Sequence, residues 1–172
     1  GAVCAGWRLA AVARRAAGEP LQYVTGEMPF RHIVLHCERG VLIPRPETEV
    51  LVDAALEGVD AAAAAGVETV RALEVGTGTG CIALSIASER PGTRVVATDL
   101  SDAAVELAVR NRDALGLEDP VRVVSGDLAS GVDPRLMGTF SVLVSNPPYI
   151  PSSLVPTLPE EVVGYEPGLA LD

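Results

Sequence analysis

The sequence predicts an α/β fold, a doubly wound sheet of parallel strands, and three observations carry that expectation. From Val70 onward, short Val-rich runs alternate with stretches of helix length. The glycine run Glu74-Val75-Gly76-Thr77-Gly78-Thr79-Gly80 leaves the first of these runs, and an acidic residue, Asp99, leaves the second. Such alternation makes parallel strands joined by helical crossovers, with both faces of the sheet covered. Right-handed crossovers then bring the C-terminal ends of the strands to one edge, where ligands bind in such sheets.

Taken in order, residues 1–17 are rich in Ala and Arg, with Trp7 and Leu9 among the few large apolar groups, and read as the last helix of an N-terminal helical domain. Gly18-Glu19-Pro20 ends it. Residues 18–45 read as a linker with a β-hairpin, in which Ile33-Val34-Leu35 pairs with Val41-Leu42-Ile43 around Glu38-Arg39-Gly40. Residues 46–172 form the main unit. Pro46 suits a first helical turn, and Glu47 and Glu49 complement its positive end, so a helix opens there with Val50, Leu51, Ala54 and Ala55 as its buried stripe. The low-complexity run Ala61 to Gly66 is either the end of that helix or a link to the sheet.

Strands are expected at Val70 to Val75, Arg94 to Thr98, Val121 to Ser125 and Phe140 to Ser145. Between them, Ile82 to Arg90 is helical and stops at Pro91-Gly92. Ser101 caps a second helix, carrying Val105, Ala108 and Val109 and ending near Gly116. After Tyr149 the chain turns rich in proline, so the sheet is expected to be truncated after its fourth strand.

Composition excludes several classes. At 172 residues the chain suits one domain with an apolar core. A net charge of −10 leaves no basic stripe for a nucleic-acid backbone. Cys4, Cys37 and Cys81 are an odd number without metal-ligand spacing, and read as reduced thiols in a cytoplasmic protein. No apolar run reaches the ~20 residues that cross a bilayer.

Gly76, Gly78 and Gly80 let the backbone turn out of a strand and approach a ligand closely, with Thr77 between them. Asp99, nineteen positions after Gly80, stands where a carboxylate accepts from both ribose hydroxyls of a nucleoside. A pyrophosphate-binding fingerprint separates its second and third glycines by three positions, whereas Gly78 and Gly80 are two apart, which favours a cofactor without phosphate. Asp127, after the third strand, can accept from an adenine amino group, with Leu128 covering the ring. Alone it is equally a turn residue; the order glycine loop, Asp99, Asp127 favours S-adenosylmethionine.

Asn146-Pro147-Pro148-Tyr149 follows the fourth strand and supplies the transfer chemistry. An amide nitrogen is a poor nucleophile because its lone pair is delocalised. If the Asn146 side-chain oxygen and the Pro147 carbonyl each accept one N–H, the remaining lobe points at an activated methyl, and the two prolines hold those carbonyls projecting. Tyr149 offers a flat face for the planar group. Alignment in a polar-lined pocket supplies the acceleration without a strong base, so a shallow pH profile is expected. His32 and His36 lack an evident carboxylate partner and read as surface or packing residues, and Cys81 as a packing residue.

On these residues the chain resembles the HemK-like peptide-chain release factor glutamine N5-methyltransferases, from Gly18 to Asp172. The specific stretches are Glu19-Pro20-Leu21-Gln22-Tyr23 with Gly26-Glu27, Val41 to Glu49, Glu74 to Gly80, Asn146 to Tyr149, and Tyr165-Glu166-Pro167 with Leu169-Ala170-Leu171. The resemblance implies a Rossmann-like S-adenosylmethionine-dependent methyltransferase sheet, with residues 46–172 as the N-terminal part of its catalytic domain. It further implies methylation of the glutamine in the Gly-Gly-Gln motif of class 1 release factors. By the same carry-over, Glu74 to Gly80, Asp99, Asp127, Leu128 and Asn146 line the cofactor. Asn146, Pro147, Pro148 and Tyr149 hold the glutamine amide, and Arg45 to Glu49, with Arg45 and Glu47 foremost, lies near the substrate entrance. Glu74 stands where many relatives carry Asp. Two rivals remain: an enzyme acting on the exocyclic N6 of adenine in nucleic acid, and a truncated chain that binds cofactor without turnover.

Overall fold

The computed structural model describes residues 2–151, 153–154 and 157–171, with backbone alone for residues 2–5 and 160. Ser152, Val155, Pro156 and Asp172, part of the proline-rich end, and the Cys4 side chain lie outside that description. The chain runs through α1 (Ala2–Ala16), α2 (Leu21–Thr25), a hairpin of β1 (Glu27–Phe30) and β2 (Ile33–His36), and α3 (Thr48–Ala64). Then come β3 (Arg71–Val75), α4 (Cys81–Glu89), β4 (Arg94–Asp99), α5 (Asp102–Ala114), β5 (Val121–Ser125), β6 (Val142–Ser145) and a short α6 (Glu160–Val163).

The four strands β5-β4-β3-β6 form one sheet, parallel throughout. Alternate residues of each strand face opposite sides. On one side Ala72, Val95, Ala97, Val121 and Val144 pack under α3 and α4 together with the hairpin residues Phe30, Ile33 and Leu35. On the other, Leu73 and Val96 pack against Val132, Leu136 and Phe140 of the segment before β6. Among the described residues that second face is covered by this segment, with a 3-10 turn at Pro134–Leu136, and Leu143 remains exposed on β6. No described helix is long and apolar enough to cross a membrane.

The hairpin differs from the expected one. Ile33 to His36 pairs backwards onto Glu27–Phe30, with Phe30 opposite Ile33 and Glu27 opposite His36. Val41 to Ile43 is loop, with Val41 buried beside Ala104 and Leu107, and Ile43 beside Tyr23 and Cys37. Pro29 argues locally against a strand, yet a two-stranded ribbon tolerates it because one side of each strand needs no partner. The turn is made by Arg31 at φ 49, a conformation that a non-glycine residue holds only with support. That support is visible: Arg31 donates from Nε and Nη2 to Glu89 (2.6 and 2.9 Å) and from Nη1 to the Glu49 carbonyl (3.1 Å), and pairs with Asp53 (2.8 Å). This pairing holds the Glu89 carboxyl below its usual range. His32, exposed at the same turn, does have a carboxylate neighbour, with Nε2 4.0 Å from Glu89. Arg31→Ala should lower unfolding free energy by about 3 kcal/mol, because it strands the largely buried Glu89 charge. Urea denaturation measures it.

The phase of α3 also differs. Three tight turns, Thr48 N–H to Arg45, Glu49 N–H to Pro46 and Val50 N–H to Glu47, precede the regular helix, so Pro46 and Glu47 stand outside it. The buried stripe becomes Thr48, Val52, Ala55, Leu56 and Val59, and Val50 points to solvent. The run after Ala61 is the helix end, closed at Gly66 with φ 85. The Ser101 cap forms as expected, its hydroxyl accepting from the Ala104 N–H.

Candidate active site

The glycine loop leaves β3 where its neighbours diverge, β4 on one side and β6 on the other. The end of β4 holds it, since the Gly76 and Thr77 N–H groups both donate to the Thr98 carbonyl at 2.9 Å. Gly76, Gly78 and Gly80 take φ of 76°, 56° and 86°, which side chains rarely adopt. Their surroundings separate their duties. A Cβ on Gly80 would lie 2.9 Å from the Leu84 side chain and 3.4 Å from Ala108 Cβ, so this glycine leaves room for Leu84 beneath the loop and for α5 beside it. Above Gly76 there is open space, and above Gly78 only Val41 at 4.0 Å. A ligand can lie there.

Glu74 sits beneath the loop, fully buried. Its Oε2 accepts from the Thr77 hydroxyl (2.7 Å) and the Ala83 N–H (3.1 Å), tying the loop to α4, while Oε1 is buried without a partner. Burial pushes its pKa up to about 8, against the pull of those two donors and with help from the nearby Asp99 charge. The folded protein therefore holds a proton that the unfolded chain releases above about 4.5. Its contribution to stability is complete below that value and is lost as pH rises through about 8. Glu74→Gln, shaped like the neutral acid, should flatten the decline in stability between pH 5 and 8, read by urea denaturation at each pH.

Asp99 is pinned at the loop's flank. Its Oδ2 accepts from Gly78 N–H (2.8 Å) and its Oδ1 from Ser101 N–H (2.9 Å), which leaves each oxygen one lone pair for a diol. Its own carbonyl accepts from Gly126 N–H at 3.0 Å, joining the ends of β4 and β5. Asp127 follows, exposed, and then Leu128 at φ 50 with its side chain in solvent. Leu100, immediately after Asp99, is a second exposed apolar side chain at these strand ends. Its signal in the sequence is an apolar residue directly after a strand-end carboxylate.

Asn146 begins the loop after β6, one residue past Ser145, which stands opposite Val75 in register and whose hydroxyl donates to the Val75 carbonyl (2.8 Å). Asn146 and Gly76 thus each follow one member of the last residue pair that joins β6 to β3. Its side-chain Nδ2 donates to Thr48 Oγ1 at 3.3 Å. Pro147, Pro148 and Tyr149 are exposed, Tyr149 at 78%.

Arg45 is paired, its guanidinium Nη2 donating to both carboxylate oxygens of Glu166 at 2.9 Å. Burial drives the Glu166 carboxyl upward, and Arg45 opposes that shift. The pair joins the Pro44-to-Glu49 segment to Tyr165-Glu166-Pro167. Glu47 is exposed at the start of α3. A further residue missed in the sequence is Asn111, wholly buried. It accepts from His36 N–H (2.7 Å) and donates to the carbonyls of Thr79 (2.9 Å) and His36 (3.2 Å), binding hairpin, α5 and glycine loop together. Its signal was an amide at helical spacing with Ala104, Leu107 and Ala108. Cys37 and Cys81 are buried thiols, the first pushed up by burial to about 11.

A family model described as methyltransferase small domain matches residues 55–156. Release factor glutamine methyltransferases of Chlorobaculum tepidum and Burkholderia pseudomallei are 44% and 45% identical over 94% and 95% of this chain, which covers 55% and 56% of theirs. The chain thus spans about half the length of these curated relatives. A solved SAM-dependent methyltransferase from Agrobacterium tumefaciens matches with a TM-score of 0.56 at 21% identity, over 71% of this chain and 39% of that one. That likeness establishes the fold.

Proposed function

Since the chain belongs to the methyltransferase small domain family, we propose that it methylates the side-chain amide nitrogen of the glutamine in the Gly-Gly-Gln motif of class 1 release factors, with S-adenosylmethionine as donor. The observation that carries this reading is the register of β6 on β3, which sets the Asn146 loop beside the glycine loop. Names of relatives covering most of this chain support the substrate. The residues suit the cofactor: glycines with open space above them and an aspartate with two free lone pairs accommodate a nucleoside and its diol.

When bound, S-adenosylmethionine supplies a methyl group made electrophilic by its sulfonium. Asp99 holds the ribose hydroxyls, Asp127 the adenine amino group, and Leu100 and Leu128 cover the base. Glu74 acts from below, keeping Thr77 and Ala83 in place. Asn146 Oδ1 and the Pro147 carbonyl take the two N–H groups of the glutamine amide and aim its nitrogen, while Tyr149 and Pro148 supply the flat wall beside it. The nitrogen becomes acidic once alkylated and releases its proton without a strong base. Neither Arg45, bound to Glu166, nor Glu47 takes part in the transfer itself; they shape the approach.

The test is mass spectrometry of a class 1 release factor incubated with the protein and S-adenosylmethionine. One added methyl on the Gly-Gly-Gln glutamine is expected. Methylation of an adenine-containing oligonucleotide with the release factor unchanged would overturn the proposal.

A further inference from the structure

Two carboxylates serve the proposed nucleoside site, and the fold holds them by different means. Asp99 is pinned through its own oxygens, which accept from Gly78 N–H and Ser101 N–H. Asp127 is exposed, and among the described residues its carboxylate meets no donor. Its place is set by the backbone on which it rides.

That backbone is a closed loop. Ser125 pairs with Asp99 at the end of β5, and Gly126 N–H donates to the Asp99 carbonyl (3.0 Å), which joins one foot of the loop to the strand that carries the proposed ribose acceptor. Ser130 N–H donates to the Asp127 carbonyl (2.9 Å) and Val132 N–H to the Ala129 carbonyl (3.1 Å). Val132 is buried with Leu73 and Val96, and Ala129 packs on the same cluster, so the other foot is rooted in the core. Between the feet, Gly126 and Gly131 meet backbone to backbone. Neither has a positive φ, so conformational freedom does not explain these glycines. Space does: a Cβ on Gly126 would lie 2.6 Å from the Gly131 nitrogen, and one on Gly131 would collide with the Ser125 carbonyl oxygen and lie 3.2 Å from its carbon. Within the loop, Leu128 is held at φ 50 with its side chain in solvent. A non-glycine residue persists there only where its surroundings over-determine it.

We propose that the contact of Gly126 with Gly131 is a neck that fixes the Asp127 loop and so makes the site select its base, with Gly131 as the specificity-determining position. The inference rests on the cofactor assignment above. A carboxylate accepts and does not donate. Held in place, it meets the 6-amino group of adenine and repels the 6-oxo group of hypoxanthine, which puts an oxygen at the same point. A carboxylate free to slide along the base edge finds the N1–H of hypoxanthine and takes both bases.

The probes are S-adenosylhomocysteine and S-inosylhomocysteine, titrated calorimetrically. The parent should bind the adenine compound about 10- to 100-fold more tightly, the scale of one charge-assisted hydrogen bond. Gly131→Ala should bring that ratio below about threefold, chiefly by weakening the adenine compound, and Gly126→Ala should do the same. Leu128→Ala leaves the neck intact, and should weaken both compounds by one factor and keep the ratio. Independently of ligand, the Asp127 and Leu128 backbone amide signals in a 15N NMR spectrum should move in Gly131→Ala while those of β3 stay in place.

A parent ratio near one, or a ratio unchanged in both glycine variants, would overturn the assignment, as would unmoved Asp127 and Leu128 signals. Failure of the parent to bind either compound is a different result: it removes the cofactor reading itself, while the NMR comparison still decides whether the neck fixes the loop.

Discussion

Asn146→Ala is expected to lower turnover by about 100- to 1,000-fold, the cost of removing one preorganised polar contact at a reacting group, while changing S-adenosylmethionine affinity by less than about threefold. The asymmetry follows from where its oxygen lies. Asn146 follows Ser145, the residue paired with Val75 just before the glycine loop. In the proposed transfer site its Oδ1 accepts a substrate N–H, while its Nδ2 donates to Thr48 Oγ1. Without that oxygen the amide keeps one acceptor, the Pro147 carbonyl, and rotates away from the line of attack. Single-turnover methylation followed by mass spectrometry, with calorimetric titration of the cofactor, separates the two effects. Matching losses in both would remove Asn146 from the role assigned to it.

Asp99→Ala should do the reverse, weakening S-adenosylmethionine by about 100-fold or more and affecting kcat little at saturation. Under the proposed function one carboxylate performs three tasks there. It accepts from Gly78 N–H and Ser101 N–H, which shapes the loop and the start of α5, and it offers its remaining lone pairs to a diol. Charge-assisted contacts of this kind contribute about 1.5–3 kcal/mol each, so losing the diol contact and loosening the loop together reach that factor. Asp99→Asn retains one acceptor oxygen and should fall between the two. Calorimetric titration decides, and unchanged affinity in Asp99→Ala would move the cofactor off this edge of the sheet.

The strands and helices from β3 to β6 were legible because their signals are local. Val121 to Ser125 forms a strand between a proline and a glycine, and Ser101 caps its helix through a contact three residues away. The hairpin was misread where a tertiary partner overrules a local preference: Glu89, far along the chain, supports Arg31 at a positive φ that no neighbouring residue announces. The phase of α3 depended on a short run of tight turns, which rotates the buried stripe from Val50 to Val52.

The order glycine loop, Asp99, Asp127 and then Asn-Pro-Pro-Tyr is legible in the sequence alone, and in a parallel sheet each strand delivers its following loop to the same edge. Which groups meet at that edge was decided only by folding. Thr48 reaches Asn146 across 98 positions, Arg45 reaches Glu166 across 121, and Asn111 joins Thr79 to His36. Those contacts depend on how helices settle against the sheet, and that follows from the packing of the whole core, which no short window of residues encodes.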